Sequence, residues 1–331
     1  MRAILMTATG KPEVLHPAEL PDPEPGPCQV RVRLQAAGVN PVDTKLRARG
    51  TYYPEQLPAI LGCDGAGIVD QVGSAVTRFK RGDEVWFCNG GIGGEPGNYA
   101  EFTLVHEDHL ALKPRNLDFA AAAAAPLVLI TAWESLHDRA RIHKGASVLV
   151  HAGAGGVGHV AVQLAKAAGC RVITTVGSSE KAELVKRLGA DATILYREEE
   201  FAQATLDWTG GEGVDMVLDT VGGVTFQRSF AAIRPYGDMV TLLQPGPEID
   251  WKVARLRNLR TSLELMLSPM YYGWQAARKH HTSILEKCAV LCEKGELRLH
   301  VSHRFPLDQA AAAHKLLEAG SVQGKIALKI P

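Results

Sequence analysis

A run of glycines at one point in the chain, Ala152-Gly153-Ala154-Gly155-Gly156-Val157-Gly158, leaves few folds open to the residues around it. The apolar run Val148-Leu149-Val150-His151 precedes it. After it, Val157, Val160, Ala161, Leu164 and Ala168 recur at helical spacing, and Gly169 supplies a stop. Strand, glycine turn and amphipathic helix in that order open a βαβ unit. Glycines there let the backbone turn sharply and approach a diphosphate, while the helix amino end offers unpaired N–H groups to its charge. Gly155, Gly156, Val157 and Gly158 are therefore candidate cofactor contacts. A plain tight turn has the same composition, so the setting rather than the glycines carries the reading.

The segment that follows repeats this texture. Arg171 to Val176 reads as a second strand, Glu180 to Leu188 as a helix, and Ala192 to Leu195 as a third strand. Val214 to Asp219 reads as a fourth strand and Met239 to Leu243 as a fifth, the pattern of a parallel sheet. At the end of the second strand, where an acid would grip a ribose 2′-hydroxyl, stand Gly177-Ser178-Ser179-Glu180-Lys181. Ser178 can donate to a phosphate oxygen and Lys181 adds a positive charge, so NADP(H) is favoured over NAD. Glu180 is expected to cap the following helix. The competing reading gives Glu180 the ribose and makes NAD the cofactor.

Residues before about Pro114 have a different character. Gln29 to Leu34 alternates apolar and polar residues as a half-buried strand does, and Gly and Pro break the neighbouring runs closely. A compact β-barrel follows, with no long helix before about Phe119. After residue 265 come a helical stretch from Ile284 to Lys294, a strand near His300 to Phe305, a helix from Leu307 to Ala319 and a strand from Lys325 to Ile330. These closing strands suggest a cofactor domain inserted between two pieces of a catalytic one: 1–122, 123–265 and 266–331.

Balanced charge, with 36 Lys+Arg against 36 Asp+Glu, offers no broad basic face for nucleic acid. The apolar stretch from Ala120 to Ile130 contains Pro126 and is shorter than the ~20 residues of a membrane span. Met1 to Thr7 turns polar too soon for a signal peptide, and the six cysteines are scattered, so a cytoplasmic chain with free thiols is expected.

Several segments together resemble one family, the zinc-independent quinone oxidoreductases of the medium-chain dehydrogenase/reductase superfamily. They are Ala37-Gly38-Val39-Asn40-Pro41-Val42-Asp43, Leu61-Gly62-Cys63-Asp64-Gly65-Ala66-Gly67, Ile130-Thr131-Ala132-Trp133-Glu134-Ser135-Leu136, the glycine turn, Ala190-Asp191 before Tyr196-Arg197, and Asp219-Thr220-Val221-Gly222-Gly223. The resemblance implies an α/β chain made of a GroES-like β-barrel catalytic domain and a Rossmann doubly wound parallel-sheet cofactor domain, with a cleft between them. It further implies that Asn40 and Thr131 lie beside the nicotinamide, that Tyr52 faces the substrate, and that Tyr196 packs near the adenosine. Leu242 and Leu243 would border the nicotinamide through their backbone, and Lys325 would close over the cofactor. Zinc relatives carry Cys where Asn40 stands and His where Cys63 stands, and have a lobe of four cysteines that is missing around Asn89 to Asn98. No metal is expected, because a catalytic zinc needs three protein ligands and an open position.

The implied activity is transfer of hydride from NADPH to a quinone or enone. Asn40, Tyr52 and Thr131 are the candidate catalytic residues, with Asn40 and Tyr52 orienting the acceptor, and water is the proton source. A 2-alkenal or enoyl reductase of the same superfamily is the enzymatic alternative, and a non-catalytic NADPH-binding structural or regulatory protein is the alternative of another class. A homodimer is expected, joined at the cofactor domain's edge. Cys288 and Cys292, one helical turn apart, read as a buried helix face, and His280-His281 as solvated. Tyr271-Tyr272, with Met266, Met270 and Trp274 nearby, could wall a substrate cleft or fill a subunit interface, and the interface is preferred.

Overall fold

The computed structural model describes residues 1–331. The chain divides into two compact units. One comprises Met1–Leu127, Leu267–Gly295 and Leu299–Pro331, and the other comprises Val128–Met266 with Glu296–Arg298.

The second unit holds a six-stranded sheet in the order Ala192–Leu195, Arg171–Val176, Ser147–Val150, Val214–Asp219, Ile233–Thr241, Arg260–Leu263. Every neighbouring pair is parallel. Counted in chain order within the unit this is 3-2-1-4-5-6, the doubly wound arrangement, whose order reverses beside the strand leading into the glycine turn. Ser147–Val150 is buried along its whole length because helices cover both faces of such a sheet. On one side Leu149, Ile173, Val217, Phe226, Phe230 and Met239 belong to a single apolar cluster. The fifth strand starts at Ile233, earlier than its apolar end suggests. The sixth, Arg-Thr-Ser-Leu, was not anticipated: it is an edge strand, and an edge needs no continuous apolar run.

In the first unit the central strand is Gln29–Val39. It pairs antiparallel with Asp64–Val72, Phe102–His106 and the last strand, Lys325–Lys329. The two ends of the chain therefore build one barrel-like sheet, completed by Glu84–Cys88, Ala111–Leu112 and Val301–Pro306. The division from the second unit falls at Leu127 rather than after residue 122, because the helix Phe119–Ala123 packs on Gln29–Val39 and Asp64–Val72. A short helix, Pro41–Arg49, precedes Phe119, where only the absence of a long one was expected. Asn40 is its cap residue: the Asp43 carboxylate accepts from the Asn40 N–H (2.8 Å), and Pro41 opens the first turn. In the helix Gln275–Glu293, Cys288 and Cys292 are buried free thiols, as their setting implied, but His281 is buried rather than solvated. No helix is long and apolar enough to cross a membrane.

Candidate functional site

The glycine turn of the second unit is built to keep its backbone bare. A Cβ on Gly158 would overlap the carbonyl of Ala152 and come within 2.7 Å of the Gly153 Cα, and one on Gly153 would overlap the Thr174 hydroxyl. Ala152 itself is held at φ 52°, a left-handed conformation that non-glycine residues adopt at a cost. The helix Gly158–Ala167 begins with no side-chain cap. Its first N–H groups and the close-packed turn before them suit a diphosphate, the group a dinucleotide would present there.

What fixes the turn was not foreseen. The Ala152 N–H donates to the Thr175 hydroxyl (3.0 Å), which lies 3.1 Å from His151 Nδ1. His151 Nε2 is 2.8 Å from the Ser229 hydroxyl, which donates its own proton to the Thr225 carbonyl (2.6 Å). Ser229 can therefore only accept from His151, so the ring carries its proton on Nε2 and accepts from Thr175 on Nδ1. Burial pushes the His151 pKa down, against the field of Asp219, and the ring stays neutral. Asp219 in turn accepts from the N–H groups of Val221 and Gly222 (both 2.9 Å) and from the Thr241 hydroxyl (2.8 Å), tying down the neighbouring loop. A polar residue closing an apolar strand was the available signal for both His151 and Asp219.

Gly177, Ser178 and Tyr196 come together at the end of the strand Arg171–Val176. The half-exposed Tyr196 ring lies over Gly177, where a Cβ would be 2.9 Å from its hydroxyl. Ser178, not Glu180, caps the helix Ser179–Arg187: its extended backbone lets the hydroxyl accept from the Lys181 N–H (3.4 Å), while Glu180 lies inside the first turn. The serine proton remains available to a ligand. Thr131 is buried in the helix Pro126–Trp133, and its carbonyl accepts from the Ser135 hydroxyl at 2.7 Å. That helix runs on into a π-helical turn, Glu134–Arg139. The amides of Leu242 and Leu243 donate to the Asp219 carbonyl (3.1 Å) and the Thr241 hydroxyl (3.2 Å). Glu264, buried beside Glu134 and 2.9 Å from Arg139, has its pKa raised by burial first and by Glu134 next, so this acid pair retains a proton.

In the first unit Asn40 is wholly buried. Its Nδ2 donates to Asp64 (2.9 Å), and its Oδ1 accepts from the Lys325 ammonium, which also reaches the Val39 carbonyl at 3.1 Å. An ammonium can only donate and a carboxylate only accept, which fixes the amide orientation. The Asn40 N–H goes to Asp43 (2.8 Å), which also accepts from Tyr99 (3.2 Å), and Tyr99 lies 3.1 Å from His314. Burial raises the Asp43 pKa to about 7, against the hydrogen bond from Asn40. Asn40 is an interior residue whose amide is engaged at both ends. Lys325 is buried too, its ammonium held by Asn40 and the Val39 carbonyl.

At the same corner burial, then the field of a neighbouring aspartate, pushes the Cys63 and Cys88 thiols far up. Asp64 accepts from Asn40 and from the Leu127 N–H (2.8 Å). Tyr52 has a different setting: it is 38% exposed, and its ring lies 5.1 Å from that of Tyr271.

Residues 26–115 match the family model for the alcohol dehydrogenase GroES-like domain, and residues 188–328 match that for zinc-binding dehydrogenases. A quinone oxidoreductase of Pseudomonas aeruginosa is 36% identical over 327 residues, 99% of each chain. The chain belongs to the quinone oxidoreductase family of the medium-chain dehydrogenase/reductase superfamily. It is an oxidoreductase. A 2-haloacrylate reductase of a Burkholderia species is 35% identical over 310 residues, 92% of this chain and 91% of its own. Among solved structures, the Escherichia coli quinone oxidoreductase complexed with NADPH matches with a TM-score of 0.87 at 31% identity, over 99% of this chain and all of that one.

Proposed function

We propose that this member of the family transfers hydride from NADPH to a quinone, without zinc. The observation that carries the cofactor choice is the end of the strand Arg171–Val176. It has no carboxylate to repel a 2′-phosphate, the Ser178 hydroxyl keeps its proton for a phosphate oxygen, and Lys181 lies one helical turn on. The NADPH complex of the Escherichia coli relative supports the same choice.

NADPH, once bound, supplies the hydride. The chain's own residues bind and orient: the glycine turn Gly155–Gly158 takes the diphosphate, Gly177, Ser178, Lys181 and Tyr196 the adenosine end, and Thr131, Leu242 and Leu243 the nicotinamide end. Asn40 and Lys325 stiffen the corner from within, and Tyr52 meets the acceptor. The thiols and carboxylates around Cys63 are occupied with one another, which supports a reaction without a Lewis acid. An acceptor whose reduced anion is delocalised has the least need of one. Homodimerisation along the edge strand Arg260–Leu263, where Leu263 is exposed, belongs to the same proposal.

The 2-haloacrylate reductase relative favours a second reading, reduction of a conjugated carbon–carbon double bond. Stopped-flow oxidation of NADPH separates the two. Quinone reduction predicts faster turnover with an ortho-quinone than with a 2-alkenal. The reverse order selects the second reading, and failure of every conjugated acceptor removes both. Metal analysis of the active protein tests the absence of zinc.

A further inference from the structure

At the amino ends of its parallel strands, away from the glycine turn, the second unit holds a cavity of about 420 Å³. Four guanidinium groups line it, those of Arg139, Arg141, Arg234 and Arg260, against two carboxylates, Asp215 and Asp238, and no lysine. Arg139 and Arg141 come from the end of the π-helical turn, Arg234 from the strand Ile233–Thr241 and Arg260 from the edge strand. The whole chain balances 36 basic against 36 acidic residues, so the excess of positive charge is particular to this place.

The lining carboxylates are already engaged. Asp215 accepts from the N–H and hydroxyl of Ser147 (2.7 and 2.8 Å) and from Arg234 Nε (2.6 Å). Asp238 takes two bonds from Arg260 (2.8 and 2.5 Å). Arg139 lies 2.9 Å from Glu264, which does not line the cavity. Arg141 alone of the four pairs with no acid. Its backbone is as unusual as its charge. The Ala140 N–H donates to the Ser135 carbonyl (3.1 Å) and the Ile142 N–H to the Leu136 carbonyl (3.0 Å), which leaves Arg141 between them at φ 51°, the left-handed position that ends a helix. Glycine takes that conformation without steric cost, and an arginine does not. An unpaired arginine kept there, lining a cavity, points to a ligand rather than to packing.

We propose that this cavity binds a compact polyanion, a small molecule carrying two or more phosphoryl or carboxyl groups, with Arg141 as its first contact. A guanidinium presents parallel N–H groups that match one oxyanion in a fork, which an ammonium does not. Because the forks come from three segments, a ligand with two anionic groups can engage more than one of them at once. The strand Ser147–Val150 lies between the cavity and the glycine turn, a separation of roughly 10 Å at about 3.3 Å per residue, so the polyanion and NADPH can be held together. Side chains alternate along the edge strand: Arg260 and Ser262 line the cavity and Leu263 lies on the opposite face, so a second copy paired along that edge does not fill it. The site is independent of which acceptor the enzyme reduces.

Isothermal titration of the full-length protein, saturated with NADPH to occupy the glycine turn, compares pyrophosphate, citrate and orthophosphate. Pyrophosphate or citrate is expected to bind at least about tenfold more tightly than orthophosphate, and the tighter of the two identifies phosphoryl or carboxyl as the group recognised. Arg141→Gly should weaken that ligand about 5- to 10-fold and leave the thermal-unfolding midpoint unchanged or higher, since glycine relieves the left-handed residue. Arg141→Lys keeps the charge without the fork and should fall between the two. Absence of binding by both polyanions overturns the site, as does orthophosphate binding equally well or Arg141→Gly retaining wild-type affinity. A clearly lower midpoint for Arg141→Gly would mean that the arginine serves the fold, and overturns the proposal as well.

Discussion

Replacing Lys181 by alanine removes one positive charge from the end of the glycine-bearing strand and touches no core packing. An exposed charge-assisted contact to a phosphate is worth about 1.4 kcal/mol, a factor of roughly ten. Kd for NADPH should therefore rise about tenfold while Kd for NADH stays put, as read by fluorescence titration. A parallel loss for both coenzymes would mean that Lys181 does not meet the 2′-phosphate. His151→Leu acts on folding instead. It leaves the buried Thr175 hydroxyl proton without its acceptor and Ser229 without its donor, so urea unfolding should reveal a loss of about 2–4 kcal/mol. An unchanged midpoint would contradict the relay. Lys181 was legible in the sequence because an exposed charge declares its chemistry by type and position. His151 was not, because a buried histidine is defined by partners 24 and 78 residues away in the chain.

Elements were legible in proportion to how apolar their buried faces are. The strands Arg171–Val176, Ala192–Leu195 and Val214–Asp219 are rich in apolar and β-branched residues, and their limits could be read directly. The helix Pro41–Arg49 could not, since the side it buries consists of Asp43, Thr44, Leu46 and Arg47, and a polar buried face leaves no amphipathic stripe. Its signature lay in the cap, Asn40-Pro41 followed by Asp43. The glycine turn permits a graded test of backbone approach. Gly158→Ala drives a Cβ into the Ala152 carbonyl, which cannot yield because Ala152 is already in a left-handed conformation, whereas a Cβ on Gly155 meets the same oxygen at 3.1 Å. Gly158→Ala should weaken NADPH binding at least about tenfold more than Gly155→Ala, corresponding to about 1.4 kcal/mol. Equal effects would place the constraint elsewhere.

At the scale of the whole molecule, buried titratable groups set how stability follows pH. Burial lowers His109 to about 4 and His314 to about 3, and lowers His151 as well. Below the ordinary histidine value of about 6.5 the unfolded chain takes up protons that these three rings refuse, so stability falls with pH from there toward 4. Asp43, raised to about 7, and Glu264, raised by burial and Glu134, act in the opposite sense. Their stabilising contribution is complete below the ordinary carboxylate range and is lost as pH climbs through their folded values. The urea midpoint should therefore peak between about pH 6 and 7 and decline on either side, with slopes on the order of 1 kcal/mol per pH unit. Asp43→Asn separates the two limbs. An amide can still accept from Asn40 and Tyr99 and carries no charge to bury, so the loss that Asp43 imposes between about pH 4 and 7 should vanish and the rise carried by the histidines over that range should steepen. A wild-type midpoint that keeps rising to pH 9 would show that the corner holding Asn40, Asp43 and Lys325 admits an ionised Asp43 without penalty. The neutral-carboxyl account of that corner would then fail.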